Sequence, residues 1–465
     1  MKKAKRIIPT LFLCSLLLSP AASANSGEMS WSGVSSTGAI VTDKNCPIVV
    51  EKELLTFDIS QFPDRSYNSE YKFLSYTDSV TAEYTFYNPA DYTVTATLAF
   101  PFGTLPDYIY FTSSDYEDRY GVSVNGSEIQ AQVRHTLSSM NGFDFEKELP
   151  KLTEEYVYDD FYSPDTPVYR QTYTVSWTDP SQSSAIFAFI RSDGGRKTKL
   201  ILYGGDTALS RDESLAWVKN GGTVTLWCIG EYIEQPNWTI YTDPSHRETL
   251  SGTVTLEETK ETTFLQFAMQ SYDPETGISE TDWYNAIVGD LKRNGDSDNA
   301  CFTECTDKDF DITRSLLRWY QYELTLQPGE RITNTVTAPI YPTIDANYSP
   351  NIYKYTYLLS PAKTWSDFGA LRITVNTPFY ITKSNTESFE KTDNGYILSL
   401  DGLPDGELNF TMCKSKNPSP AIHPLVFIAY GAVLLPVLTA LTALAIGIAA
   451  LVRHKRRQKG NSESR

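Results

Sequence analysis

The sequence predicts a mainly β protein in which two β-sandwich-like modules flank a mixed α/β middle segment, with one transmembrane helix near the C-terminus. Three observations favour this fold class. Apolar and polar residues alternate in short runs, which is the period of a half-buried strand. Residues of the Pro, Gly, Asn and Asp types separate these runs, as they do in antiparallel sheets. A long apolar run without charge ends in a cluster of cations shortly before the last residue.

Residues 1–24 are typical of a secretory signal peptide. Four cations within the first six residues precede the apolar segment Leu11–Leu18, and Ala22-Ser23-Ala24 supplies the small residues of a cleavage site. We expect cleavage after Ala24 and export of the chain that follows. The alternative is an uncleaved anchor, which the short apolar segment disfavours because a spanning helix needs roughly 20 apolar residues.

Residues 25–205 are predicted to form an N-terminal β-rich module. Alternating residues run from Val80 to Phe86 and from Tyr92 to Phe100, with Asn88-Pro89-Ala90-Asp91 between them. This pattern predicts an antiparallel hairpin. A second hairpin is predicted at Asn125-Gly126, because both residue types tolerate positive φ at the centre of a two-residue turn.

Residues 206–318 are predicted to be a mixed segment with short helices. Ser279 is expected to cap the N-terminus of one helix, with Asp282 three residues further along, and Asn294-Gly295 is expected to end it. The apolar face of this helix is predicted to pack against a sheet, and it consists of Trp283, Ala286, Ile287 and Leu291. A second helical stretch is predicted over Ile312–Trp319.

Residues 319–413 are predicted to form a C-terminal β-sandwich-like module. Tyr320–Leu326 alternates, Gln327-Pro328-Gly329-Glu330 turns the chain, and Ile332–Val336 alternates again. Short strands separated by turns of this kind are typical of a β-sandwich of roughly 100 residues.

The sequence predicts three segments at the C-terminal end. They are a short stalk at residues 414–423, a transmembrane helix at residues 424–452 and a basic cytoplasmic tail at residues 453–465. The run from Leu425 through Pro436 to Val452 carries no charge and exceeds the roughly 20 residues that cross a bilayer. It is followed by cations at Arg453, Lys455, Arg456, Arg457 and Lys459. By the positive-inside rule, this topology predicts a single-pass cell-membrane protein whose large N-terminal portion is extracellular and which contacts membrane lipid through one helix.

The charge balance excludes nucleic acid as a partner of the extracellular portion. Without the four cations of the leader, and without the six cations and one acid of the tail, 30 Lys and Arg face 56 Asp and Glu. A surface this acidic repels a phosphate backbone.

The exported portion has five cysteines, at Cys46, Cys228, Cys301, Cys305 and Cys413. This number is small for its length, so the fold is expected to depend on apolar cores rather than on disulfides. Cys301 and Cys305 are a possible disulfide because they are close in sequence. No cofactor and no metal site is expected from the sequence, since histidines near a cysteine pair are lacking.

The sequence favours binding over catalysis. It lacks the usual motifs of serine hydrolases, zinc proteases and nucleotide-binding enzymes. The expected function is that of a surface protein that binds an extracellular protein or glycan, and Tyr116 and Tyr120 are the candidate binding residues because tyrosines are frequent at recognition surfaces. The alternative is an envelope-acting, glycosidase-like hydrolase that uses carboxylates such as Glu154, Glu155 or Asp159.

Overall fold

The computed structural model describes most of the chain between residue 36 and residue 421, and a short helical segment near the C-terminus. The described residues are 36–37, 39–43, 45–63, 77–103, 119–139, 143–190, 198–203, 207–209, 213–234, 237–243, 248–295, 312–386, 388–421, 441–451 and 453. The predicted signal peptide lies outside them. The described part is mainly β and contains several sheets, as predicted.

The N-terminal part of the chain forms strands almost throughout. The strands are β1 (Ser36–Thr37), β2 (Ile40–Val41), β3 (Val49–Asp58), β4 (Ser79–Tyr87), β5 (Val94–Gly103), β6 (Gly121–Val124), β7 (Ser127–Glu128) and β8 (Gln132–Leu137). A short helix, α1 (Phe145–Glu148), follows and continues into the 3-10 helix Leu149–Lys151.

The middle part of the chain combines strands with two further helices. The strands are β9 (Pro167–Trp177), β10 (Ser184–Ile190), β11 (Thr198–Tyr203), β12 (Thr207–Leu209), β13 (Glu213–Lys219), β14 (Gly222–Gly230), β15 (Asn237–Tyr241) and β16 (Gly252–Thr263). The helices are α2 (Phe264–Ala268), the 3-10 helices Met269–Ser271 and Pro274–Thr276, and α3 (Glu280–Gly295).

The last part of the chain returns to strands. A 3-10 helix, Ile312–Ser315, precedes them, and another, Ser360–Thr364, lies among them. The strands are β17 (Leu316–Leu326), β18 (Arg331–Pro339), β19 (Thr343–Asp345), β20 (Tyr348–Ser349), β21 (Ile352–Leu358), β22 (Phe368–Asn376), β23 (Tyr380–Ser384), β24 (Glu390–Thr392), β25 (Gly395–Leu400), β26 (Leu408–Cys413) and β27 (Ser419–Pro420).

The main core lies between one large sheet and two smaller ones. The large, eight-stranded sheet has the order β24-β25-β22-β3-β4-β18-β6-β7. Its apolar face packs against a five-stranded sheet (β1-β21-β26-β23, with β19 beside β21) and against the β17 sheet (β2-β5-β17-β8). Phe57 of the large sheet contacts Tyr357 and Phe410 of the five-stranded sheet edge to face, at centroid distances of 5.9 and 5.3 Å.

This pairing corrects the expectation of two separate sandwich-like modules, 25–205 and 319–413. β3 pairs in parallel with β22, β4 pairs with β18, and β5 pairs with β17. Strands of both predicted modules therefore share sheets and bury one common core. The physical reason is that alternation marks a strand with one apolar face but carries no information about which distant strand lies beside it.

The predicted hairpin of β4 and β5 is wrong as a pairing, although both strands are where the alternation places them. β4 lies between β3 and β18 in the large sheet, whereas β5 lies between β2 and β17 in the β17 sheet. The chain therefore crosses the core at Asn88-Pro89-Ala90-Asp91, and it crosses again at Gln327–Glu330 between β17 and β18. Asn88 joins the two crossings, because its N–H donates to Glu330 O at 3.0 Å and its side-chain amide donates to Leu326 O at 3.1 Å.

The middle part of the chain forms a second layered unit. The β9 sheet (β11-β14-β9-β16) packs one face against the β13 sheet (β12-β13-β10-β15). On the other face its residues share a core with α2 and α3. The residues of α3 that were predicted to pack are all buried in this core, namely Trp283, Ala286, Ile287 and Leu291.

The structure confirms the predicted turn at Asn125-Gly126 and the predicted helix start at Ser279. Asn125 and Gly126 have φ of 50° and 75° and join β6 to β7 in a two-residue hairpin. The Ser279 hydroxyl accepts the Asp282 N–H at 3.1 Å at the start of α3. The stretch Ile312–Trp319 differs from its prediction, because only Ile312–Ser315 is helical and β17 begins at Leu316.

The predicted transmembrane range, 424–452, lies largely outside the described residues. Within it, residues 441–451 are helical and their apolar side chains are exposed. In the part of the chain that the structure describes, no helix has both the length and the apolar character required for crossing a bilayer.

Candidate functional site

The candidate site forms where β8 meets α3. β8 carries Arg134 and His135 in succession, and both are buried, at 1% and 9% exposure. Neighbouring strand residues point to opposite faces, so burial of both means that β8 is covered on both sides. α3 packs against this strand. Gly289 permits the close approach, because a Cβ at this position would lie 3.0 Å from Leu137 Cδ2.

A buried ion pair joins the helix to the strand. Arg134 Nη2 donates to Asp282 Oδ1 at 2.8 Å, and Arg134 Nε donates to Asp282 Oδ2 at 3.1 Å. The backbone N–H of His135 donates to the same Oδ2 at 2.9 Å. Arg134 further donates to Gln321 Oε1 and Thr153 O at 2.8 and 2.7 Å, and it forms an ion pair with Glu154. Asp282 is therefore neutralised and its position is fixed from two sides.

A cleft of about 600 Å³ opens beside this ion pair, and we call it the His135 cleft. One wall is the end of β8 with the residues after it, and a second is the segment that contains Pro150, Lys151 and Val157. The third wall is one face of α3, and it consists of Asp282, Asn285, Ala286, Val288, Gly289, Lys292 and Arg293. The volume falls within the range of about 300–1,000 Å³ that is usual for sites of small molecules.

His135 is the one lining residue whose polar atom is both buried and without a partner among the described residues. Its Nδ1 is inaccessible to solvent and has no hydrogen bond there. Burial lowers the pKa of His135 to about 4; the carboxylate of Asp282 opposes this shift, and the charges of Arg318 and Arg134 add to it. The imidazole is therefore neutral at physiological pH, with one donor and one acceptor nitrogen.

Cations line the other walls of the cleft, each beside an acid. Lys151 pairs with Glu148 at 2.8 Å. On α3, Lys292 pairs with Asp159 at 2.8 Å and Arg293 pairs with Asp290 at 2.7 Å. Partial burial acts to raise the pKa of Asp159, but hydrogen bonds from Lys292 and from the backbone outweigh it and hold the pKa below its usual range.

The binding residues predicted from the sequence lie elsewhere. Tyr120 is partly buried and packs near Phe100 and Tyr320, at centroid distances of 6.1 and 6.4 Å. Its role in binding stays a prediction, and Tyr116 lies outside the described residues. Several other predicted residues also lie outside the described part of the chain, namely Cys301, Cys305, Leu425, Pro436, Val452, Lys455, Arg456, Arg457 and Lys459.

The other cysteines of the predicted exported portion lie in the protein interior. Cys46, Cys228 and Cys413 are buried, and the Cys228 thiol donates to Gln171 Oε1 at 3.4 Å. In the described residues, no cluster of three or more His, Cys, Asp and Glu side chains is placed to hold a metal ion.

Sequence reasoning missed the residues of the His135 cleft. The sequence pattern indicates Asp282 only as part of a helix start, and no motif includes Arg134. One signal is present: Arg134 and His135 are adjacent in a predicted strand, so their side chains point to opposite faces and one of them points toward the covered side of the sheet. A buried arginine requires an acid, but its position on α3, 148 residues away, is not encoded in any local pattern.

Comparison with known proteins gives no family assignment. No family model matches the chain, and no curated protein is significantly similar to it. Among solved structures, the chain is similar to a crystal structure from Legionella pneumophila described as a "putative nutrient binding protein". The TM-score is 0.33 and the identity 11%, over 83% of this chain and 72% of that chain. A similarity of this size carries no argument about function.

Proposed function

We propose that the chain is a membrane-anchored extracellular binding protein that takes a small ligand into the His135 cleft. The observation that carries the proposal is the imidazole of His135, which is buried at the cleft without a hydrogen-bond partner for Nδ1 among the described residues. A buried polar group in this state costs about 1–3 kcal/mol. A ligand removes this cost if its binding shifts the residues that cover Nδ1 and brings a hydrogen-bond partner to the imidazole, and such a ligand would favour the occupied state.

The alternative of a carboxylate hydrolase has less support. A glycosidase of the usual kind needs two carboxyl groups across the substrate, one of them with a raised pKa. Among the described residues that line the cleft, Asp282 is the only carboxylate, and Arg134 neutralises it. Asp159, which was one of the candidate acids, has a lowered pKa because Lys292 and backbone N–H groups bind it.

The membrane anchor is supported by the C-terminal helical segment 441–451. Its leucine and isoleucine side chains are between 54% and 70% exposed, so the described part of the protein does not cover them. A contiguous apolar surface of this kind favours a lipid environment. Arg453 follows immediately, as the positive-inside rule requires for a cytoplasmic end. Protease treatment of intact cells tests the topology: digestion of the body is expected, and protection of the body with digestion of the tail contradicts it.

Ligand binding is tested by a fragment screen against the full chain in detergent, with acids, amines and neutral compounds in equal numbers. The variant Gly289→Leu fills the cleft, because the added side chain meets Leu137. Gly406→Leu is the matched control, since a Cβ at Gly406 meets no atom within 4 Å. We expect hits that Gly289→Leu abolishes and Gly406→Leu retains. A screen without hits, or hits that both variants retain, overturns the proposal.

A further inference from the structure

The side-chain oxygens of Asp282 and Asn285, on the α3 wall of the His135 cleft, already accept hydrogen bonds from the protein. Both oxygens of Asp282 accept hydrogen bonds from Arg134 and from the His135 backbone. The side-chain oxygen of Asn285 accepts the Val157 N–H at 2.8 Å, and its amide donates to Glu155 O at 3.0 Å. These groups build the walls of the cleft and have little capacity for a further donor from a ligand.

Donors remain available on the α3 wall. Toward the described residues, the ammonium of Lys292 donates one hydrogen bond, to Asp159, and an ammonium has three N–H groups. The guanidinium of Arg293 donates to Asp290 at 2.7 Å and weakly to Ser138 O at 3.4 Å, and it has five N–H groups. Lys151 differs, because it donates to Leu137 O, to the Ser139 hydroxyl and to Glu148.

Apolar side chains form part of the remaining lining, beside the hydroxyl groups of Thr136, Ser138 and Ser139. Leu137, Pro150, Val157 and Ala286 contribute surfaces without hydrogen-bonding side chains. A ligand that fits must therefore bring acceptors for Lys292 and Arg293 and an apolar body for these four side chains. A carboxylate suits the two cations best, because charge-assisted hydrogen bonds are roughly twice as strong as neutral ones.

We propose that the ligand of the His135 cleft is a small organic anion, a carboxylate with an apolar body, whose carboxylate binds Lys292 and Arg293 and whose body packs against Leu137, Pro150 and Val157. This inference rests on the proposed function and specifies its ligand class. Asp159 and Asp290 hold the two cations in place while the cleft is empty, and Asp159 competes with the ligand for Lys292.

The test compares benzoate with its neutral isostere benzamide by calorimetry, on the full chain in detergent. We expect benzoate to bind at least about tenfold more tightly than benzamide, as the loss of one charge-assisted contact implies. Lys292→Gln should weaken benzoate binding by about tenfold. Lys147→Gln is the matched control, because this lysine is 73% exposed, pairs only with Asp144 among the described residues and lies outside the cleft lining.

Asp159→Asn provides the opposite test. Asparagine keeps an oxygen that can accept the Phe161 N–H but no longer neutralises Lys292, so benzoate affinity should rise severalfold. Equal binding of benzoate and benzamide, absence of benzoate binding, or an unchanged affinity in Lys292→Gln overturns the inference. A different outcome is that neutral fragments still bind and that Gly289→Leu abolishes this binding. In that case the proposed binding function is retained and only the proposed ligand class is wrong.

Discussion

Arg134 and Asp282 form a buried bidentate ion pair, and their side chains are 1% and 2% exposed. The pair fixes β8 to α3, and these two elements form two walls of the His135 cleft. Asp282 also accepts the backbone N–H of His135, so the same carboxylate positions the residue whose imidazole lies at the cleft. The shape of the site therefore depends on this one buried contact.

Asp282→Asn is expected to destabilise the protein by about 3–5 kcal/mol, because it leaves the buried guanidinium of Arg134 without its charge partner. Glu154→Gln is the matched control, since it removes the other acid of the same arginine. Glu154 is 73% exposed, and loss of such a surface pair costs less than about 1 kcal/mol. Urea unfolding measures both. Equal losses in the two variants contradict the assignment of Asp282 as the structural partner.

Glu53 is expected to make the protein less stable as the pH rises. It is buried near Tyr84 and Tyr357, and loss of solvent raises its pKa from 4.5 to about 8, against a smaller opposing effect of the neighbouring Tyr84 hydroxyl. Between these two values the folded chain holds a proton that the unfolded chain has released. Stability therefore falls by about 1.4 kcal/mol per pH unit in this window and levels off above it.

The variant Glu53→Gln should remove this pH dependence, because the amide does not titrate. Glu51→Gln is the matched control, since Glu51 lies on the same strand but pairs with Arg331 at the surface. Chemical denaturation at a series of pH values between 5 and 9 measures the slope. A slope that persists in Glu53→Gln shows that another group causes it.

Gly126→Ala is expected to cost about 1–2 kcal/mol, because Gly126 has a φ of 75° and an L-residue with a side chain is strained there. Gly121→Ala is the control: Gly121 is the first residue of β6, the strand that leads into this turn, a Cβ there meets no atom within 4 Å, and it has no positive φ. Thermal unfolding measures both variants. Equal decreases in Tm would show that the positive φ of the turn is not the cause of the loss.

Asn88→Ala is expected to cost about 2–3 kcal/mol, since the carbonyls of Leu326 and Gln327 lose a buried donor. Asn347→Ala is the control, because the Asn347 side chain bonds to Asp345 in an exposed turn. Urea unfolding is the measurement. A loss for Asn88→Ala no larger than that of the control contradicts the role of Asn88 in joining the two chain crossings.

Asn88 also shows how far the fold can be predicted from the sequence. The alternation locates β4, β5, β17 and β18 well, because the period of two follows from a strand with one buried face. The turn residues show that the chain reverses, but they do not show whether the next strand returns to the same sheet. That choice depends on contacts between Asn88 and residues more than 230 positions away, which no local pattern contains.

The candidate site was less predictable than the fold. Ser279 and the buried stripe of α3 follow from helix rules, and the structure confirms them. The cleft lies beside this stripe and shares Ala286 with it, and in the sequence its residues Asp282, Lys292 and Arg293 look like ordinary solvated charges. Their significance comes from the position of β8, and this depends on the sheet pairing that the alternation leaves open.

The sharpest test of ligand binding at the cleft follows the imidazole of His135 by NMR. The chain has four histidines, so labelled imidazole nitrogens give few resonances, and His135→Gln identifies the relevant one by its loss. We expect a neutral imidazole at pH 7 that gains its proton near pH 4 and whose resonance shifts when benzoate is added. An imidazole that titrates near its ordinary value of about 6.5, and that no fragment shifts, would contradict the proposed site.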